Sequence, residues 1–130
     1  MAPLPKMVPH TAAKHLLLTR YLAAWFPILG KNNARINYID GFAGPGEYEG
    51  GEPGSPILAI EAAMNHLDRG TLASNVMINF IFVEFNAIYA SRLQSKLAGI
   101  AVPKQIKVQV MQGEFADVIG GIPHFEYTRD

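Results

Sequence analysis

The sequence has no cysteine, which excludes disulfide bonds and metal sites built on thiolates. Neither charge is in excess, because 11 basic residues (lysine and arginine) balance 11 acidic residues. Net charge therefore gives no support for nucleic acid as a partner, although a local basic patch would be compatible with one. No segment is long and apolar enough to span a bilayer, and the start MAPLPKMVPH lacks the apolar core of a signal peptide. These absences predict a cytoplasmic protein with no metal site and no membrane segment.

The N-terminal part of the chain predicts an arm followed by one long helix. Residues 1–10 hold three prolines and predict a flexible N-terminal arm. From Thr11, apolar side chains recur at helical spacing, and Pro27 and Gly30 predict the end of this helix. The stripe that we expect to face the core consists of Leu18, Leu22 and Trp25.

The rest of the chain predicts a βαβαβ arrangement. Three β-prone segments, at residues 35–39, 77–83 and 106–112, are separated by two segments of helical periodicity. Ser55 predicts the serine cap of the first of these helices, and Asn86 predicts the cap of the second. Right-handed crossovers would give a parallel sheet in the order 3-2-1, half of a Rossmann-like α/β fold. In the complete fold the first strand also pairs with a fourth strand, which this sequence does not predict, and an uncovered apolar edge favours aggregation. We therefore expect that the chain is a fragment or that a partner chain supplies the missing half.

Three acidic residues stand where the predicted strands end. They are Asp40, Glu84 and Glu114. In parallel α/β sheets ligands bind beyond the carboxyl ends of the strands, so these carboxylates predict a single crevice. Asp40 also opens a loop of fifteen residues, 40–54, with six glycines. A loop of this length in a compact domain is typical of a functional site or of disorder.

A ligand with phosphates fits this loop poorly. The segment FAGPG is an incomplete dinucleotide-binding pattern, because the third glycine is missing and the next helix starts only at Ser55. Glu84 also lies further from the glycines than the usual distance of about twenty residues. No GKS or GKT follows the glycines, which excludes a P-loop. A nicotinamide or flavin oxidoreductase is therefore the weakest hypothesis.

S-adenosylmethionine suits these residues better, because it carries an ammonium group, a sulfonium and a ribose diol but no phosphate. Asp40 would attract the ammonium, and Gly44 and Gly46 would let the backbone approach the methionine part. Glu84 would accept hydrogen bonds from both ribose hydroxyls. Two further residues, Glu114 and Phe115, would lie beside the adenine.

Each of these residues also has a purely structural interpretation. The glycines are typical of a tight turn, and Glu84 is compatible with a solvated strand end. An acidic residue that follows a turn, such as Glu114, is common on protein surfaces. Ser55 is better explained as a helix cap than as a nucleophile, since no GxSxG pattern surrounds it.

The segments KHLLLTRYLAAWFPIL, IDGFAGPG and YEGGEPGSP resemble the N-terminal part of the three-Cys-motif partner protein family (TcmP). That family is bacterial and has a class I S-adenosylmethionine-dependent methyltransferase fold. The resemblance runs from about Lys14 to Glu114. It implies that Gly41, Phe42 and Ala43 also bind the cofactor. It also implies that Lys14 and His15, on the first helix, reach the carboxylate of the cofactor or cover the site. It further implies a partner protein with three cysteines, and a DPFG-like acceptor motif that this sequence lacks.

Two functional hypotheses follow. In the first, residues 11–130 are the N-terminal cofactor-binding half of a methyltransferase whose acceptor and catalytic residues the sequence does not identify. In the second, the chain is a non-catalytic Rossmann-like module that acts with a three-cysteine-motif protein. A homo-oligomer is a further expectation, because a second copy would cover the open edge of the predicted half-sheet.

Overall fold

A computed structural model gives the structure of residues 4–32 and 35–120. The elements are α1 (Pro9–Asn32), β1 (Arg35–Asp40), α2 (Ser55–Arg69), β2 (Met77–Glu84), α3 (Ala87–Ala98), β3 (Ile106–Gln112) and α4 (Phe115–Gly120). All three strands are parallel, and they form one sheet in the order β1-β2-β3. The predicted α/β class with a parallel sheet flanked by helices is therefore confirmed.

The main core lies on one face of the sheet. Alternate side chains of a strand point to the same face, and in β2 those of Ile78, Phe80 and Phe82 are fully buried. Phe80 is paired with Tyr38 of β1 and with Val108 of β3, so the same face continues across the sheet. The helical residues packed against this face include Leu22, Phe26, Ile57, Ile60, Leu93 and Leu97.

The start of α1 differs from the prediction. The helix begins at Pro9 rather than Thr11, and the N–H groups of residues 11 and 12 both donate to the carbonyl of Val8. Proline is tolerated at this position because the first N–H groups of a helix have no helical acceptor. The predicted arm is thus helical from Pro9, and its residues 1–3 lie outside the described part of the chain.

The end of α1 also differs, because the helix continues past Pro27 and Gly30 to Asn32. Pro27 has no N–H to donate to the carbonyl of Ala23, one turn earlier. The imidazole of His66, on α2, donates a hydrogen bond to this carbonyl instead. A side chain from the neighbouring helix therefore replaces the bond that the proline removes.

The stripe of α1 that faces the core contains Leu18 and Leu22 as predicted, but its next member is Phe26 rather than Trp25. Phe26 is 2% exposed and packs edge-on against His66 and Phe80, whereas Trp25 is 40% exposed. Trp25 instead contacts Tyr21 on the outer face of the helix, with ring centroids 5.4 Å apart.

The ends of the other helices follow the sequence signals. Asn86 caps α3 through its side-chain oxygen, which accepts from the N–H groups of Ile88 and Tyr89 at 2.9 and 3.1 Å. Gly70 follows α2 in the left-handed conformation (φ 69°), which glycine adopts without a steric penalty.

We expect the free energy of unfolding to decrease as the pH falls below 6.5, the ordinary pKa of histidine. Burial, followed by the charge of Arg69, lowers the pKa of His66, although the hydrogen bond to Ala23 opposes the shift. Between the lowered pKa and 6.5 the unfolded chain binds more protons than the folded one, so acidification favours unfolding. Urea unfolding at a series of pH values measures this slope.

The matched variant is His66→Gln, which keeps a donor for Ala23 but does not titrate. His15 also has a lowered pKa, so this variant should keep part of the slope and lose the rest. An unchanged slope would show that His66 does not contribute.

Candidate functional site

Asp40, the last residue of β1, holds the start of the glycine-rich loop with both carboxylate oxygens. Oδ1 accepts a hydrogen bond from the N–H of Phe42 at 3.0 Å, which closes an Asx-turn. Oδ2 accepts from the hydroxyl of Ser55 at 2.7 Å. The carboxylate thereby joins the end of β1 to the first turn of α2 across fifteen residues of sequence.

The predicted serine cap of α2 is wrong. Gly54 occupies the N-cap position without a side-chain cap, and Ser55 lies one residue inside the helix. Its hydroxyl donates to Asp40, which is a stronger acceptor than a backbone carbonyl because it is charged.

Glu84, the last residue of β2, holds the next part of the same loop. Oε1 accepts from the N–H of Gly44 at 2.9 Å, and Oε2 accepts from the N–H of Asn86 at 2.7 Å. The N–H of Ala43 donates to the carbonyl of Val83 at 3.0 Å. The loop is therefore fixed to the ends of two neighbouring strands.

The outer part of the loop is a tight hairpin with its own contacts. Gly54 donates from its N–H to the carbonyl of Gly46 at 2.9 Å, and Glu47 and Pro53 form an antiparallel bridge. Lys96 of α3 forms an ion pair with Glu47 at 3.2 Å. At the tip, the N–H of residue 49 donates to the carbonyl of residue 5 at 2.8 Å, so the segment before α1 covers this hairpin. The loop is ordered by contacts on both sides.

Three glycines of the loop have conformations that other residues adopt only with strain, and two of them, Gly44 and Gly46, line the cleft described below. Gly44 has φ 74° and Gly46 has φ 91°. A Cβ at Gly46 would lie 3.0 Å from the side chain of Leu93, whereas one at Gly44 would meet nothing within 4 Å. Gly46 therefore serves close packing, and Gly44 leaves open space above its backbone.

A cleft of about 510 Å³ lies beside this loop. Its walls come from α1, the end of β1, the loop and the first residue of α2. Four residues of α1 line it, at positions 11, 14, 15 and 18, which share one helical face. The cleft thus lies between the N-terminal half of α1 and the acidic end of β1.

Asp40 affects the titration of three groups in the wall of the cleft. Burial first, and then the charge of Asp40, raises the pKa of Tyr48 and raises that of Tyr38 to about 12. For His15 the two causes oppose each other, and burial prevails, so its pKa is lowered. The two phenols therefore stay neutral near neutral pH, and the acidic residues in the wall are Asp40 and Glu47.

The structure brings most of the predicted cofactor-binding residues together. Those that line the cleft are Lys14, Asp40, Gly41, Phe42, Ala43, Gly44 and Gly46. Glu84 does not line the cleft, but it accepts a hydrogen bond from the N–H of Gly44, which does. The roles of these residues in ligand binding stay predictions.

The predicted adenine residues lie next to the cleft rather than in it. A Cβ on Gly41 would lie 2.5 Å from the ring of Phe115, and the rings of Phe115 and Phe42 are 6.3 Å apart. Phe42 is 87% exposed, and Phe85, which follows Glu84, is 66% exposed. Apolar ring surface is therefore open to solvent at the carboxyl end of the sheet. Glu114 is exposed, precedes α4 and does not line the cleft.

Tyr38 and Ser55 also line the cleft, although the sequence did not predict them as site residues. His15, which the resemblance pairs with Lys14, lines it as well. Ser55 and Tyr38 gave no local signal, since their positions depend on the closure of the loop and the packing of the core.

No family model and no curated protein matches the chain. Within residues 4–32 and 35–120, no helix has the length and apolarity needed to cross a membrane. In the same residues, no group of three or more acidic, histidine or cysteine side chains is placed to hold a metal ion. The arrangement of the cleft is therefore the main guide to function.

Replacing Ser55 by alanine should lower the free energy of unfolding by about 1 kcal/mol, because the half-buried carboxylate of Asp40 loses a donor. The control is Ser91→Ala, at an exposed position of α3, which removes a helical hydroxyl without affecting the loop. Urea unfolding of both variants measures the difference. Equal stabilities would contradict a structural role for this hydrogen bond.

Proposed function

We propose that the chain is the cofactor-binding half of a class I S-adenosylmethionine-dependent methyltransferase. The observation that carries the proposal is the pair of carboxylates, Asp40 and Glu84, at the ends of neighbouring parallel strands, joined by a glycine loop with open space above Gly44. Ligands of parallel α/β sheets bind at this end of the strands. The methyl acceptor and the catalytic residues are not part of the proposal.

The charge of the site favours a cationic ligand over a phosphate. Dinucleotide sites place a pyrophosphate at the start of the helix that follows the glycine loop, where free N–H groups bind it. In this chain the carboxylate of Asp40 binds Ser55, at the start of that helix, and also occupies the N–H of Phe42. Glu84 occupies the N–H of Gly44. A phosphate would find these donors taken and would be repelled by both carboxylates.

The residues present fit the parts of S-adenosylmethionine. Asp40 offers a negative charge to the ammonium, and each oxygen of Glu84 keeps a lone pair that can accept from a ribose hydroxyl. The open space at Gly44 lets the ligand approach the backbone. The exposed ring of Phe42, with the partly buried ring of Phe115 beside it, offers apolar surface to the adenine. When bound, the cofactor supplies an activated methyl group, and the chain holds and orients it.

The other expectations from the sequence stay predictions. They are membership of the TcmP family, a three-cysteine partner protein, a homo-oligomer and a cytoplasmic location. A non-catalytic module would bind the same ligand, so binding alone does not separate the two functional hypotheses. Methyl transfer to an acceptor, followed with a labelled methyl group, would favour the enzyme.

Calorimetric titration should show binding of S-adenosylmethionine and S-adenosylhomocysteine but not of NAD. Asp40→Asn should weaken that binding by about tenfold or more, because the amide keeps an acceptor for Phe42 but loses the charge. Ser55→Ala is the control, since it removes a hydrogen bond from Asp40 and leaves the charge in place. Binding of NAD in preference, or full affinity in Asp40→Asn, would contradict the proposal.

A further inference from the structure

The hairpin of the loop, residues 47–53, contributes to the wall of the cleft and also extends away from it. Glu47 and Tyr48, at the base of the hairpin, line the cleft. Residues 49–51, at its tip, are exposed. The first half of α1, from residue 11 to residue 18, supplies another part of the wall. Movement of the hairpin relative to α1 would therefore change the width of the cleft.

The segment before α1, residues 4–8, lies against this hairpin. The N–H of Glu49 donates a hydrogen bond to the carbonyl of Pro5 at 2.8 Å. Three of the five residues in the segment are partly buried, although the segment belongs to no helix or strand before α1. The carbonyl of Val8 accepts from two N–H groups in the first turn of α1, which fixes the segment to that helix. We call residues 4–8 the strap, because they connect α1 to the hairpin.

A second contact joins the same two parts of the molecule inside the cleft. The ring of His15, on α1, packs at an angle on the ring of Tyr48, with centroids 5.6 Å apart. Both residues are partly buried and both line the cleft. The hairpin is therefore held to α1 at two points, by this ring contact at its base and by the strap at its tip.

These two contacts are weaker than those that hold the start of the loop. Asp40 and Glu84 accept hydrogen bonds with charged oxygens, and hydrogen bonds to charged groups are the stronger class. Between the strap and the hairpin, the part of the chain that the structure describes has a single backbone hydrogen bond, and both of its groups are neutral. Elements with so few contacts open locally, and minor states of this kind are populated at about 0.1 to 10%.

We propose that the strap controls access to the cleft. When the strap is bound to the hairpin, it holds the wall formed by α1 and the wall formed by the loop together. When it is released, the hairpin moves away from α1 and a ligand enters or leaves. The effect on ligand exchange rests on the proposed function, because it assumes that the cleft binds a ligand. The contact between the strap and the hairpin does not depend on that assumption.

A ligand in the cleft should in turn keep the strap closed. A ligand that contacts both walls binds the closed form more tightly than the open form, so it shifts the population toward the closed form. The amide of Glu49 reports this shift, because it is hydrogen-bonded only while the strap is closed. Its exchange with deuterium should slow at least about threefold at saturating S-adenosylhomocysteine. The amide of Ala90, which donates to Asn86 within α3, is the control and should not change.

The absence of cysteine allows the strap to be locked by a single designed disulfide. The hydrogen bond between residues 5 and 49 brings their backbones within the range that a disulfide spans. In the double variant Pro5→Cys with Glu49→Cys, oxidation should lock the strap and a reducing agent should release it. We expect the oxidised form to bind and release S-adenosylhomocysteine at least about tenfold more slowly than the same protein after reduction. Stopped-flow binding measures both rates.

The control is the double variant Pro5→Ser with Glu49→Ser, which changes the same two positions and should give the same rates with and without the reducing agent. Equal rates for the oxidised and reduced cysteine variant would overturn this inference and leave the proposed function in place. Failure of the two cysteines to form a disulfide would also overturn it, because the strap and the hairpin would then not be in contact. If S-adenosylhomocysteine binds neither the reduced variant nor the unchanged chain, the proposed function is overturned, and control of ligand exchange by the strap with it.

Discussion

The glycine loop depends on two carboxylates at the ends of neighbouring parallel strands. Asp40 is paired with Phe82 of β2, and Glu84 follows two residues later, so the two acidic side chains point to the same face of the sheet. Each accepts from a loop N–H, that of Phe42 or that of Gly44. Without Glu84 the part-buried N–H of Gly44 would lack this acceptor, and without Asp40 the loop would lose its connection to the first turn of α2.

The same interactions determine the chemistry of the cleft. Glycine-rich loops at the ends of parallel strands commonly offer free N–H groups to phosphates. Here carboxylates occupy such groups and add negative charge at the start of α2. The cleft beside them is also lined by a lysine and by a histidine whose pKa is lowered by burial, both on α1. The carboxylates that order the loop are thus the basis for proposing a ligand with an ammonium group and without phosphates.

Local patterns in the sequence predicted the elements well, and long-range contacts limited the rest. The strands and the cap at Asn86 were predictable because apolar alternation and capping depend on adjacent residues. The C-terminal extent of α1 was not predictable, since the side chain of His66 on α2 donates to the carbonyl of Ala23, which Pro27 leaves without a helical donor. The positions of Asp40 and Glu84 at the ends of neighbouring strands were predictable for the same reason as the strands themselves. The role of Ser55 was not, because its acceptor lies fifteen residues away in sequence.

The central claim is that the loop held by Asp40 and Glu84 binds S-adenosylmethionine. The most direct test is an amide proton–nitrogen correlation spectrum of the isotope-labelled chain, recorded with and without saturating S-adenosylhomocysteine. The account predicts that the amide signals of Phe42 and Gly44, which donate to the two carboxylates, shift on saturation, while that of Ala90 within α3 does not. Unshifted signals of Phe42 and Gly44, with changes elsewhere or none at all, would contradict it.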